Sequence, residues 1–440
     1  MSSISSPIKT GPDFTAARYT SPGEAGKYRK NAHKLIWSAV NWPIQAVSMH
    51  WLRDMVFHAS SEGFKSNMEE SRLNKSKAIL SKIGGEEILL ETEDGSLIDS
   101  MFFDIRTFKT KIEELGGIFI NHNGENYLKV GSPSLGDLMR KMRVDFFGKD
   151  NTIRLDRSQE NPAIFSEPHV MIITQGNACI YEMNRGAIIE ALLKWGKNVI
   201  VFNIRGTGKS TGKPSKKGTY NDIEAVYQYL RKEKRFSPKQ IHVYGYCLDS
   251  GPATELAYRH PGANLYDRAS AKVSDIMASF VEKTILGDQQ ADERTFKKVL
   301  RSTLRTVFPG IISGTVISYN NAQKVPEIRG KIFALHSEHD HVVPRWSSDL
   351  LQLVCSKAIS SSVASNVVYD DGIGHCDPRS KGSEVILSEH MEENGDSSVR
   401  NFPTTIVTGI NLPNLVSNVL TDAANLNSET VSVLAAKRSA

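Results

Sequence analysis

The chain has 440 residues, of which 40% are apolar and 23% charged, and its formal net charge at pH 7 is +5. This length predicts one large domain with an extension, or two domains, and so mild a charge indicates no nucleic-acid partner. The four cysteines are too few for a disulfide framework and favour a reducing compartment.

The N-terminal region divides into two segments by composition. Residues 1–30 are rich in Ser, Gly, Pro and Lys, so we expect them to be disordered, and they contain no apolar stretch typical of a secretory signal. Residues 31–85 form a predicted helical extension. Its segment 33–57 carries three of the five tryptophans at roughly helical spacing. We expect this segment to pack on the main domain, and peripheral contact with a membrane is the alternative.

Residues 86–420 are predicted to form one α/β domain. It opens with a hairpin, EEILLETEDGSLIDSMFFD, which turns at Asp94-Gly95. Apolar strands then alternate with amphipathic helices, which predicts a mostly parallel central sheet with helices on both faces. The predicted strands of this sheet lie at 169–174, 198–204, 241–246, 331–337 and 365–371.

Two later segments depart from this alternation. KVSDIMASF, residues 272–280, has a strand-like pattern. Residues 281–325 are long and helical between two strands, so they predict a short helical lid. Residues 421–440 are polar and are expected to form a flexible tail. Nowhere does the chain reach the roughly 18 uninterrupted apolar residues of a membrane-spanning helix.

A reactive side chain stands where one predicted strand turns into a helix. In HVYGYCLDSGPATELA, residues 242–257, Cys247 follows the strand and a helical pattern begins directly after it. A sharp turn of this kind strains the backbone at its tip and projects the tip side chain over the sheet. It requires small residues two positions before and two positions after the tip. Gly245 meets the first requirement and Asp249 does not meet the second.

The carboxyl ends of parallel strands meet at one edge of a sheet, where ligands bind. A thiol, carboxylates, imidazoles and a glycine-containing loop are all predicted at this edge, which is the set of groups used in acyl transfer. The residues that follow the strands there are Gln175, Gly176, Asn177, Ala178, Cys247, His336, Glu338, His339, Asp340, His341, Asp371 and His375.

These segments resemble the α/β-hydrolase superfamily over residues 86–385. GYCLDSGPATELA is similar to the serine-hydrolase pattern G-x-S-x-G-S-G-P-A, with Cys247 in place of Ser and Asp249 in place of Gly. QGNA resembles the oxyanion loop of the family, STGKPS its S-x-G-x-P-S segment, HSEHDHVVP its acid strand and GIGH its terminal histidine motif. More distantly, the long N-terminal extension resembles that of hydrolase-like proteins of intracellular bacteria, some of them translocated effectors.

The resemblance implies a Cys-His-Asp triad of Cys247, His375 and Asp340, in the chain order of the family. It also implies that backbone N–H groups of Leu248 and of Asn177 or Ala178 hold the oxyanion. The implied activity is hydrolysis of an ester or thioester through an acyl-enzyme, on an acyl ester or lipid-like small molecule. No cofactor or metal is implied. A cytoplasmic location, or translocation from a bacterium into a host cell, follows from the same resemblance.

Several alternatives stay open at this point. A carboxylate at Asp249 close to the thiol would oppose its ionisation, so a catalytically inactive hydrolase-fold protein that binds a partner or lipid surface is the alternative function. Asp370 and Asp371 compete with Asp340 as the acid. The thiols of Cys179 and Cys376 could join a metal site, which the lack of any C-x-x-C pair disfavours.

Overall fold

The computed structural model describes most of the central part of the chain, in several ranges. The described residues are 8–9, 70–122, 125–142, 151–155, 169–177, 179–260, 262, 264–287, 295–315, 319–337, 340–348, 365–369, 374–375 and 387.

A nine-stranded sheet forms the centre of the described structure, in the order β1-β2-β3-β8-β7-β9-β10-β11-β12. Its strands are β1 (Ile8–Lys9), β2 (Gly85–Glu91), β3 (Leu97–Phe103), β7 (Val170–Ile173), β8 (Asn198–Phe202), β9 (Ile241–Tyr246), β10 (Asn264–Asp267), β11 (Ile332–His336) and β12 (Ser365–Tyr369). The strands from β7 to β12 pair in parallel, whereas β3 pairs antiparallel with both β2 and β8. The predicted hairpin and the mostly parallel sheet are confirmed.

Helices cover both faces of this sheet. The described helices are α1 (Glu70–Lys82), α2 (Ile105–Glu114), α3 (Pro133–Lys141), α4 (Arg185–Leu193), α5 (Lys216–Lys232), α6 (Ser250–Arg259), α7 (Val273–Leu286), α8 (Thr295–Thr315) and α9 (Asn321–Lys324). Successive side chains of β7 point to opposite faces. Met171 packs in the core that contains α4, whereas Ile172 packs in the core that contains α5 and α6.

A second sheet of three antiparallel strands lies within the range predicted for the α/β domain. Its strands are β4 (Gly117–His122), β5 (Glu125–Val130) and β6 (Thr152–Arg154). Buried residues of this sheet, of α2 and of α3 belong to the same apolar core as α4. The small sheet is therefore packed on one side of the main domain.

The N-terminal extension is tied to the sheet by a buried ion pair. Lys77 of α1 is 3% exposed, and its Nζ lies 2.6 Å from Oδ1 of Asp99 in β3. Within 1–30, predicted to be disordered, Ile8 and Lys9 are instead extended and pair in parallel with β2. Residues 31–69, which include the tryptophan-rich segment, lie outside the described residues.

The strand prediction at 272–280 is wrong. These residues belong to α7, and the strand of this region is β10, eight residues earlier. Val273 and Met277, four residues apart, are both buried in one apolar cluster, which is the spacing of a helix face. The predicted lid range, 281–325, holds the end of α7 together with α8 and α9. Among the described helices, none combines the length and apolar character needed to cross a bilayer.

Candidate functional site

The thiol of Cys247 lies at a strained turn between β9 and α6. Cys247 has a φ of 50°, in the left-handed region that non-glycine residues rarely adopt. Strand and helix approach closely there, because a Cβ added at Gly245 would lie 2.7 Å from Cβ of Ala253. The glycine before the tip is thus required by packing, as the sequence predicted.

The helix side of the turn is fixed by buried contacts. Oγ of Ser250 donates to the carbonyl of Cys247 at 2.6 Å and accepts from Nδ2 of Asn321 at 3.0 Å. A Cβ at Gly251 would fall 2.2 Å from the Tyr319 ring, so this position accepts only glycine. Ser250 is therefore a structural residue of the turn, and the side chain at its tip is the thiol.

Two further predicted site residues are in direct contact with each other. Nδ1 of His375 lies 2.7 Å from Oδ2 of Asp340. The other oxygen of Asp340 accepts from the backbone N–H groups of Val342 and Val343, both at 2.8 Å. The carboxylate is thus held by three hydrogen bonds on the loop that follows β11.

The charges of this pair follow from its contacts. Burial raises the pKa of Asp340, but the hydrogen bond from His375 and the two N–H donors outweigh it and lower the pKa below the ordinary value. Burial likewise lowers the pKa of His375, but hydrogen bonds to Asp340 and to Cys247 outweigh it and raise the pKa to about 10. His375 is therefore an imidazolium at neutral pH, hydrogen-bonded to the carboxylate of Asp340 and near the thiol of Cys247.

Tyr246 holds the backbone of His375 in place, and the sequence did not predict this contact. Its hydroxyl donates to the carbonyl of His375 at 2.5 Å, and the two rings lie 5.4 Å apart. Tyr246 directly precedes Cys247, so the same turn that presents the thiol also anchors the segment that carries the imidazole. Only its position beside the tip could have indicated this role.

The predicted oxyanion loop follows β7 and touches the turn. Gly176 has a φ of +80°, and a Cβ there would lie 2.7 Å from the Tyr246 ring and 3.4 Å from Cβ of Cys247. Asn177 comes next and its side chain is exposed, while Ala178 lies outside the described residues. Leu248, whose N–H is the other predicted donor, is buried in the turn directly after the thiol.

The carboxylate of Asp249 is directed to the loop after β7. It is 2% exposed, and its Oδ2 accepts from the backbone N–H groups of Gln175 at 3.3 Å and Gly176 at 3.1 Å. Burial raises the pKa of Asp249 to about 6, although the two hydrogen bonds oppose the increase. The residue that departs from the glycine pattern therefore links the turn to the loop after β7.

Cys247 is 5% exposed and lies in a small apolar cluster. Val273 and Met277, from the first turns of α7, are members of this cluster, and so are Tyr220, Leu248 and Tyr319. Lys283, further along α7, donates to the carbonyl of His341 beside Asp340. Helix α7 thus covers both the thiol and the acid loop.

Other candidate residues have different surroundings. His336 is buried at the end of β11, where burial lowers its pKa to about 4 and keeps it neutral, while His341 is exposed. Cys179 is partly exposed. The competing acids and the remaining cysteines and loop residues lie outside the described residues: Asp370, Asp371, Cys355, Cys376, Glu338 and His339. Within the described ranges no group of three potential ligands is arranged to hold a metal ion.

Comparison with known proteins gives three partial likenesses. Lysophosphatidylserine lipase ABHD12 of Danio rerio is 27% identical over 196 residues, 44% of this chain and 49% of that protein. Alpha/beta hydrolase domain-containing protein 17C of Mus musculus is 23% identical over 226 residues, 51% of this chain and 57% of that protein. The chain thus spans about half the length of these curated relatives. The solved structure of the Pyrococcus furiosus esterase Pf2001 is 15% identical, with a TM-score of 0.43, and the match covers 72% of this chain and 90% of that one.

The family model for the alpha/beta hydrolase fold matches residues 168–264. This range contains strands β7, β8 and β9, the strained turn at Cys247 and helix α6. The matched segment forms the centre of a parallel sheet with the strand-turn-helix arrangement typical of this fold, so the chain has the α/β-hydrolase fold.

Proposed function

We propose that this protein hydrolyses an ester or thioester bond with Cys247 as the nucleophile. The observation that carries the proposal is the hydrogen-bonded pair of Asp340 and His375 near the thiol of Cys247, which lies at a strained turn of the α/β-hydrolase fold. In this proposal His375 transfers protons and Asp340 orients the imidazole and stabilises its charged form.

In the first step the thiolate of Cys247 attacks the acyl carbonyl carbon, and the carbonyl electron pair moves onto oxygen. Backbone N–H groups of Leu248 and of Asn177 or Ala178 would stabilise that oxyanion by roughly 3 kcal/mol each. His375 then gives its proton to the leaving alcohol or thiol as the bond to the acyl carbon breaks. The product left on the protein is an acyl thioester at Cys247.

In the second step water attacks the acyl thioester. His375, now neutral, takes a proton from this water, and the thiolate of Cys247 leaves as the carboxylic acid forms. The imidazolium and thiolate are restored together, so the cycle consumes one water and one ester. Asp340 stays ionised throughout, which agrees with the lowered pKa of its carboxyl group.

Apolar surroundings at the thiol support an acyl ester or lipid-like substrate. Val273 and Met277 of α7 lie in the apolar cluster of Cys247, and an acyl chain would pack against these same side chains. One relative carries the name lysophosphatidylserine lipase, which supports testing lysophospholipids. We propose that α7 and α8 act as the lid over this substrate, since α7 covers the thiol.

The test uses p-nitrophenyl acyl esters, an acyl thioester and a lysophospholipid, with mass spectrometry of the intact protein. The proposal expects acylation of Cys247 followed by release, and loss of both in His375→Ala. Cys179→Ser is the matched control, because it removes the other described thiol, and it should behave as wild type.

The alternative function, a binding protein without hydrolase activity, predicts a different outcome. All four cysteines would then react slowly and equally with an acyl probe, and His375→Ala would change nothing. Activity that appears only in the double variant Cys247→Ser/Asp249→Gly would indicate a site lost by drift. Membrane contact through 33–57, absence of a nucleic-acid partner, and delivery into a host cell stay predictions.

A further inference from the structure

Asp249 stands two residues after the proposed nucleophile, and its side chain turns away from its own helix. It makes no hydrogen bond to the first turn of α6. Instead it crosses to the loop after β7, where Oδ2 accepts from the N–H groups of Gln175 and Gly176. The carboxylate of Asp249 therefore joins the turn to two residues that lie 74 and 73 positions earlier in the chain, next to the thiol.

The loop is confined on two sides at this point. On one side Gly176 touches the Tyr246 ring and approaches Cβ of Cys247, so closely that a side chain at 176 would clash. On the other side the carboxylate of Asp249 holds the N–H of Gly176. The next backbone N–H along the chain belongs to Asn177, one of the donors that the proposed function assigns to the oxyanion.

We propose that Asp249 is a positioning residue that fixes the oxyanion loop against the nucleophile turn, so that the N–H of Asn177 is aimed at the acyl oxygen. This inference rests on the proposed function and deepens it. Oxyanion donors act strongly only when they are held in place before the reaction, and a misplacement of about 1 Å is enough to remove most of their effect. The departure from the glycine pattern is on this account part of the site.

The surroundings of Asp249 agree with a held carboxylate. Its second oxygen, Oδ1, is buried and has no hydrogen-bond partner among the described residues. The titratable groups near it are Cys247 in the same turn, His375, and Tyr319, whose pKa burial raises well above 10 and which therefore stays neutral. The two backbone N–H donors stabilise the ionised carboxylate of Asp249 at this buried position.

The experiment compares Asp249→Ala with Asp249→Asn. Alanine removes the acceptor, whereas the amide oxygen of asparagine can still accept from both N–H groups. For Asp249→Ala we expect kcat for p-nitrophenyl acetate to fall about 10- to 100-fold with KM changed less than about 3-fold. Asp249→Asn should recover most of kcat.

A second measurement reads the loop without using activity. Hydrogen exchange at the amides of Gln175 and Gly176 should be faster in Asp249→Ala than in wild type and Asp249→Asn. Glu182→Gln is the matched control, since Glu182 is also a buried carboxylate with a raised pKa, but it accepts from Asn203 rather than from the loop. It should leave both readouts unchanged.

Two failures can be told apart. If wild type never acylates Cys247 with any of the substrates, the proposed function fails and the positioning role fails with it. If wild type acylates Cys247 while Asp249→Ala keeps the wild-type kcat, the positioning role alone is overturned. Should Asp249→Ala fail to fold, Asp249→Gly, which also removes the acceptor, decides: the wild-type kcat in that variant would refute the inference.

Discussion

His375 and Asp340 are directly linked in the candidate site, with Nδ1 of the imidazole 2.7 Å from Oδ2 of the carboxylate. Burial opposes a charge on His375, but its hydrogen bonds to Asp340 and Cys247 outweigh that effect and raise its pKa to about 10. At neutral pH the imidazole is therefore already protonated. This state suits a cysteine nucleophile, whose thiolate is stabilised by a neighbouring imidazolium, better than a serine, whose proton the histidine must first accept.

Replacing Cys247 by serine tests this consequence. We expect kcat/KM for p-nitrophenyl esters at pH 7 to fall at least about 100-fold, because a serine hydroxyl is scarcely ionised at this pH and is a weaker nucleophile than a thiolate. Steady-state kinetics between pH 6 and 9 would measure the loss. A Cys247→Ser variant as active as wild type would mean that residue 247 is not the nucleophile.

Asp340→Asn should separate orientation from charge. The amide cannot stabilise the imidazolium, so the pKa of His375 should fall, and kcat should fall roughly 10³-fold. NMR titration of the histidine ring nitrogens measures the first effect, and ester hydrolysis the second. The control His341→Gln alters an exposed histidine of the same loop and should change neither.

His375 should make the stability of the protein depend on pH. Its pKa rises from about 6.5 in the unfolded chain to about 10 in the folded protein. The stabilisation is therefore complete below pH 6.5 and is lost as the pH rises from there through 10, by a few kcal/mol. Urea unfolding at pH 6.5, 8 and 10 would show the decline, and in His375→Gln the decline should be smaller by that amount.

Asp249 should have the same sign of pH dependence at lower pH. Its pKa is raised to about 6 in the folded protein from about 3.9 in the unfolded chain. The stabilisation that follows from this shift is complete below pH 3.9 and is lost as the pH rises through 6. At pH 7 the ionised carboxylate therefore lowers the free energy of unfolding by about 3 kcal/mol. Asp249→Asn should therefore be more stable than wild type at pH 7.5 and no more stable at pH 4. Equal urea midpoints at pH 7.5 would contradict this prediction.

Lys77→Met tests how the N-terminal helix is held. The ammonium lies 2.6 Å from Asp99, and although burial lowers the pKa of Lys77, Asp99 raises it above the ordinary value. Removing the lysine leaves the buried carboxylate without its cationic partner, although Tyr181 and Asn203 still donate to it, and this should cost roughly 3 kcal/mol of unfolding free energy. Lys77→Met/Asp99→Asn should regain part of this loss.

The matched control for that experiment is Lys75→Met, an exposed position on the same helix. Its free energy of unfolding should stay within about 0.5 kcal/mol of wild type. If Lys77→Met were as mild as Lys75→Met, the ion pair would not anchor α1.

Much of the fold could be predicted from the sequence because hydrophobic period is a local property. Apolar runs at 170–173, 198–202 and 332–336 are strands in the structure, and the alternating helices between them imply a parallel sheet. The hydrophobic period gave the wrong prediction at 272–280, which is helical, with Val273 and Met277 buried in one cluster. A short apolar segment has the same composition in either state, and its packing decides between them.

The candidate site divides in the same way. The sequence by itself determined that Cys247, Asp340 and His375 follow sheet strands, since strand ends and glycine spacing can be read along the chain. Only the tertiary structure decided that Tyr246 anchors the backbone of His375 and that Asp249 accepts a hydrogen bond from Gly176. Those contacts join residues 129 and 73 positions apart, and the direction of a buried side chain is set by the groups packed around it.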